Sequence, residues 1–192
     1  MKALVVIDML NDFVEEDGKL PVKGAKELIP RIKRLIEAAR MNDVPVIYAN
    51  DSHDPDDKEF ERWPKHSVEG TKGAEVTLEL KPEKEDIIIP KKDLCMFTNK
   101  DAIKVLDKKG IQELYITGMA TEYCVRHAVI SDKDKYGDHV KAGAERFKIN
   151  IVVDTIKGID LRPGDSAKAL IEMGAAGARP IFAEEAEKEL SS

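Results

Sequence analysis

The stretch AKELIPRIKRLIEAAR, residues 25–40, places Leu28, Ile29, Ile32, Leu35, Ile36 and Ala39 at helical spacing and leaves the opposite face to charged residues. That period predicts an amphipathic helix with one side packed against an apolar surface. Short runs rich in β-branched residues flank it at 3–7 and 44–49, and others follow at 87–89, 114–117, 149–153 and 179–182. Helical patterns recur between most of them, over 99–108, 121–131 and 163–173, the last with Pro163 in its first turn and Gly174 at its end. Strands that alternate with helices and are apolar on both faces imply a parallel sheet covered on both sides, an α/β fold.

A chain of 192 residues, 42% hydrophobic and 35% charged, suits one soluble globular domain over residues 1–192. A formal net charge of −6 argues against electrostatic binding to nucleic acid or an anionic membrane, both of which need a concentrated basic surface. A small neutral or cationic ligand fits that charge better. The start MKALVVIDML has neither a charged leader nor a small-residue cleavage site, and no apolar run is long enough to span a bilayer. The expectation is a cytoplasmic protein whose two cysteines, Cys95 and Cys124, are free thiols.

Two segments interrupt the alternation. Residues 51–73 form a long polar excursion with Pro55, Pro64, Gly70 and Gly73, and long loops in compact domains often carry function. Residues 132–146 are charged, contain Gly137 and Gly143, and read as an extended helix plus loop.

In open α/β sheets, ligands bind beyond the carboxyl ends of the strands. Asp8 ends the first run, Asp51 follows the second, Lys91 the third, and the turn 118–124, GMATEYC, the fourth. Each alone has a bland reading: an Asp caps a turn, a Lys is solvated, a Cys is a small core residue. Together on one rim they read as a nucleophilic site. With Thr121 as N-cap, Cys124 falls in the first helical turn, where unpaired N–H groups and the helix dipole favour a thiolate, and Lys91 would favour it further. Asp8 could then act as general base and acid, and N–H groups of the turn could hold an oxyanion, an interaction whose loss typically costs about 100-fold in rate. Cys95, between Leu94 and Met96, reads as a packing residue, and His127 and His139 as structural. In the loop, Asp51 and His53 point the same way on an extended segment, and His66 could return to complete three metal ligands with positions left open. Turn-forming Asp and solvated His explain the same spacing, so both readings stand.

The motifs VVIDMLNDF, NDSH, WPKHSVEGTKGAE, Lys91 ahead of Phe97, and GMATEYCVRH, in this order, resemble the isochorismatase-like cysteine hydrolases, and within them the nicotinamidase/pyrazinamidase branch. The resemblance runs from residue 2 to about 182. It implies a Rossmann-like three-layer sandwich with a six-stranded parallel sheet, a triad of Asp8, Lys91 and Cys124, and an oxyanion hole from the amides of Ala120 and Cys124. It also implies a cis peptide between Met119 and Ala120. It implies one divalent metal ion on Asp51, His53 and His66, zinc foremost with iron or manganese as alternatives, and a substrate pocket walled by Phe13, Trp63 and Tyr123. The implied activity is hydrolysis of a small-molecule amide, nicotinamide, to nicotinate and ammonia through a thioester, by a homo-oligomer. An N-carbamoylsarcosine-like or other ureide amidase with the same triad is the alternative.

Two departures from the family pattern stand out: roughly ten extra residues before the fifth strand, around SDKDKYGDHVKAGAER, and Cys95 where a small residue is usual. A non-catalytic binding module and a hydrolase whose loop metal activates water are the readings from other classes.

Overall fold

A computed structural model of the chain describes residues 1–133, 139–140 and 143–192. All six anticipated strands form: β1 (Lys2–Ile7), β2 (Val46–Asp51), β3 (Ile87–Lys91), β4 (Glu113–Met119), β5 (Lys148–Lys157) and β6 (Arg179–Ile181). They pair in parallel in the order β3-β2-β1-β4-β5-β6, a doubly wound arrangement that reverses direction at β1.

Side-chain alternation on the central strands builds two cores. Leu4, Val6 and Tyr48 face one side, where the short helix α1 (Asn11–Val14) supplies Phe13 and Val14, helix α2 (Ile29–Met41) supplies Ile32, Leu35 and Ile36, and helix α6 (Ala183–Leu190) supplies Ala186 and Leu190. Val5, Ile7, Ile47 and Ile116 face the other, under Ala102 and Leu106 of α3 (Lys100–Lys108) and Met173 of α5 (Asp165–Ala175). These are the three expected layers. Each fully buried Leu or Ile contributes about 1.5–3 kcal/mol of hydrophobic stabilisation, which is why the apolar stripe of residues 25–40 decides the fold.

Several expected boundaries shift for local reasons. Residues Ala25–Leu28 form a 3-10 turn and the α-helix proper starts at Ile29, with Pro30 in its first turn, where a missing N–H costs nothing. Helix α5 starts at Asp165 and not at Pro163, because Gly164 takes a left-handed φ of 96° ahead of it. The helix expected over 121–131 is instead a wide π-type turn, Thr121–Val125, followed by a short α4 (Arg126–Val129). Ala120 occupies the N-cap position and Thr121 makes no capping bond.

Within 132–146 the expected continuation of a helix is not found among the described residues. Asp132–Lys133 pairs antiparallel with His139–Val140, and Gly143–Glu145 is a 3-10 turn, while residues 134–138 and 141–142 lie outside the description. Among the described residues, no helix is long and apolar enough to cross a membrane.

Gly118, next to the end of β4, is required by its surroundings. Its φ is 106°, and a Cβ there would lie 2.0 Å from the Ile7 carbonyl oxygen of β1. β4 can therefore approach β1 at the rim only without a side chain at this position. The β4–β5 register also shifts between Ile116 and Gly118.

Candidate active site

The chain leaves β1 at Asp8 in a left-handed conformation, φ 51°, uncommon for a residue with a side chain and recurrent at functional sites. This aims the carboxylate inward: Oδ1 accepts the Asp51 N–H at 2.7 Å, and Oδ2 lies 2.8 Å from Lys91 Nζ. Asp51 and Lys91 end their strands in register, so their side chains meet, and Lys91 Nζ donates to Asp51 Oδ1. The same ammonium sits 3.2 Å from Cys124 Sγ. All four groups are at most 6% exposed. The three groups expected from the sequence to form the triad are thus in mutual proximity around one buried cation, with Asp51 as a fourth member.

The charge balance of this cluster corrects one expectation. One ammonium faces two carboxylates, so a resting thiolate would add a second uncompensated negative charge. Burial, together with the charges of Asp8 and Asp51, pushes the Cys124 thiol well above its usual value, although Lys91 pulls the other way. The helix-start argument fails as well, because Tyr123 breaks the turn with φ −114° and ψ −105°. Burial and the neighbouring Asp51 raise Asp8 to about 6, against the pull of Lys91. Although burial disfavours its charge, Asp51 is held well below the usual carboxylate range by Lys91 and His53. Burial opposes the Lys91 charge, but Asp51 and Asp8 hold it well above the ordinary lysine value. At neutral pH the resting set is therefore a thiol, an ionised Asp8 and an ammonium. Cys95 is buried too, and burial pushes it up to about 11, consistent with a packing role.

On the far side of Asp51, the Nε2 atoms of His53 and His66 lie 3.7 and 3.9 Å from Oδ2. His53 Nδ1 is 3.2 Å from Asp57 Oδ2, and His66 Nδ1 is 2.6 Å from the Pro64 carbonyl oxygen. A carbonyl only accepts, so His66 carries its proton on Nδ1 and turns the Nε2 lone pair toward Asp51; the Asp57 carboxylate orients His53 the same way. His53 Nε2 is buried with no hydrogen-bond partner among the described residues. An orphaned imidazole nitrogen, a second one beside it and a carboxylate oxygen, with donor atoms all within 4.8 Å of one another, fit a divalent cation of the zinc type. Phe60 closes over both imidazoles, its ring centroid 5.5 Å from His53 and 5.7 Å from His66.

The Cys124 thiol, Asp51 and the His66 imidazole open onto one cavity with about 410 Å³ of empty space, its mouth included. Phe13, Trp63 and Tyr123 line it, Trp63 and Tyr123 meeting edge to face at 5.4 Å, and Leu20, Val22 and Ile159 add apolar wall. Among the described residues, neither Lys nor Arg lines it. The Met119–Ala120 peptide is cis, and the Ala120 carbonyl accepts the N–H groups of Tyr123 and Val125. His127 Nδ1 bonds the Tyr123 carbonyl of the preceding π-type turn. The side chain of His139 lies outside the description. Sequence reasoning missed Asp57, Phe60 and the apolar wall. Four acidic residues follow the NDSH motif within six positions, and only the folded loop tells which of them braces His53.

A doubly wound parallel α/β sheet with a thiol, an ammonium and a carboxylate buried at its switch point defines the class. The isochorismatase domain matches residues 2–139, and the chain belongs to that family. Among characterised sequences, it is 34% identical to a probable inactive nicotinamidase of Arabidopsis thaliana, over 66% of this chain and 70% of that one. It is 27% identical to the nicotinamidase of Escherichia coli, over 92% of each. Among solved structures, it is similar to the pyrazinamidase of Pyrococcus horikoshii in complex with zinc, with a TM-score of 0.78 and 30% identity over 94% of this chain and 98% of that one. It is similar to the N-carbamoylsarcosine amidase of Thermoplasma acidophilum, with a TM-score of 0.78 and 28% identity over 95% and 98%.

Proposed function

We propose that this protein is an amidohydrolase that converts nicotinamide to nicotinate and ammonia through a thioester on Cys124. The observation that carries this reading is the 3.2 Å contact between the Cys124 thiol and Lys91, with Asp8 beside the same ammonium, on the wall of an aromatic cavity. Asp8 takes the thiol proton as Sγ adds to the carboxamide carbon, so no free thiolate need persist at rest. The carbonyl oxygen gains the negative charge, which we assign to the N–H groups of Ala120 and Cys124. Lys91 keeps the developing charges balanced while the proton moves. As the C–N bond breaks, Asp8 returns the proton to nitrogen and ammonia leaves. Water then adds to the thioester with Asp8 as base, the C–S bond breaks, and nicotinate departs as Cys124 regains its proton.

Asp51, His53 and His66 would hold a divalent ion, which we assign as zinc. When bound, it supplies a Lewis acid for the ring nitrogen of the substrate. Phe13, Trp63 and Tyr123 offer flat faces to a flat ring. The N-carbamoylsarcosine reading draws on the similarity to the Thermoplasma enzyme, but that substrate carries a carboxylate, and among the described residues the cavity lining has no Lys or Arg to receive it. Ammonia release from nicotinamide, pyrazinamide and N-carbamoylsarcosine, with and without a chelator, separates the two. We expect turnover of the aromatic amides that chelation abolishes and zinc restores. Chelator-insensitive turnover of the ureide alone would overturn the assignment.

The pH profile gives a second check. With Asp8 as proton acceptor, kcat/KM should fall as pH drops through about 6, the value to which burial and Asp51 raise that carboxyl, and level off above it. An acid limb near the ordinary 3.8 would mean that the base is a carboxyl that its surroundings do not raise.

A further inference from the structure

Asp12 takes no part in the chemistry above, yet its carboxylate is buried at 7% exposure and fully engaged. Oδ2 accepts the Ser67 N–H at 2.7 Å and Oδ1 accepts the Lys19 N–H at 3.2 Å. Ser67 is wholly buried and left-handed, φ 46°, a conformation that a serine keeps only where its surroundings enforce it. The Ser67 N–H belongs to the peptide bond shared with His66, and the Ser67 carbonyl accepts the His53 N–H at 2.9 Å. Both imidazoles therefore hang on one backbone unit, and Asp12 is the group that fixes it. Gly73 packs directly on this carboxylate: a Cβ there would lie 2.2 Å from Asp12 Oδ2. The φ of Gly73 is not positive, so the need for glycine is one of space.

We propose that Asp12 is a positioning residue for the metal centre, its carboxylate locking Ser67 so that His53 and His66 present their Nε2 atoms together, with Gly73 leaving the room that this lock requires. The proposal rests on the metal reading of Asp51, His53 and His66. Outer-shell groups of this kind typically carry 10- to 100-fold in metal affinity.

The test compares the wild-type protein with Asp12→Asn and Gly73→Ala, each stripped with a chelator, checked for folding by circular dichroism and titrated with Zn²⁺ against a chromophoric chelator. Asn keeps the shape, but its NH₂ must face one of the two N–H donors, so one bond is lost. Gly73→Ala displaces the carboxylate without touching a ligand or the cavity wall. We expect one Zn²⁺ per wild-type chain and a dissociation constant about 10-fold or more higher in both variants. A carboxylate that served only the fold would lower the melting temperature and leave Zn²⁺ affinity in the folded variants unchanged. Wild-type affinity in either folded variant overturns the proposal while the metal reading survives. A wild-type chain that binds no Zn²⁺ overturns both.

Discussion

Replacing Cys124 with alanine or serine is expected to lower kcat/KM for nicotinamide by about 10,000-fold or more, the scale on which removing a nucleophile from a concerted catalytic set operates. Serine fails with alanine because its hydroxyl is far harder to ionise than a thiol, and the neighbouring base, raised only to about 6, is matched to the easier proton. Cys95 offers no substitute: it is buried, pushed up to about 11, and is not among the residues lining the cavity. Steady-state ammonia release by the two variants checks this. Appreciable turnover by either would transfer the chemistry to the loop metal and leave the cysteine incidental.

Lys91→Met should lower stability as well as activity. The ammonium is 2% exposed and stands between Asp8 and Asp51, both buried. Removing it leaves two carboxylates facing each other in a dry site, and breaking a buried pair this way costs about 3–5 kcal/mol. For a chain of this size that corresponds to a fall of roughly 6–20 °C in melting temperature. The pH dependence has a definite sign. Without the cation, both carboxyls rise, Asp8 further above its unfolded value and Asp51 up from well below it, so the folded state suffers most where they are ionised and recovers as they take up protons. The gap in Tm between variant and wild type should therefore be wider at pH 8 than at pH 5. A pH-independent gap would mean that the loss is one of packing and not of charge.

Much of this site was legible in the sequence because parallel strands deliver their last residues to one rim. Asp51 and Lys91 end β2 and β3 in register, and Asp8 follows β1, so reading the strands amounted to reading the cluster. The alternation of residues 25–40 with apolar runs carried the fold for the same reason: packing on both faces leaves little freedom in which residues are strand. What was not legible depends on balances and distances that a linear reading cannot sum. The expected low thiol pKa counted Lys91 but not Asp51, whose carboxylate reaches the same ammonium. Thr121 looked like a cap, yet the chain widens into a π-type turn there and starts it from Ala120. Asp12 lay inside a quoted motif and gave no signal of its own, because its contacts to Ser67 and Gly73 come from about 55 to 61 residues further along the chain.

The central claim is the acyl–sulfur bond, and partitioning with hydroxylamine tests it most directly. During nicotinamide turnover, a thioester must divide between water and added hydroxylamine, so the hydroxamate should appear at the expense of nicotinate in proportion to hydroxylamine concentration, and only with Cys124 intact. Nicotinate as the sole product at every hydroxylamine concentration, with ammonia release continuing, would contradict a covalent intermediate and the account built on it.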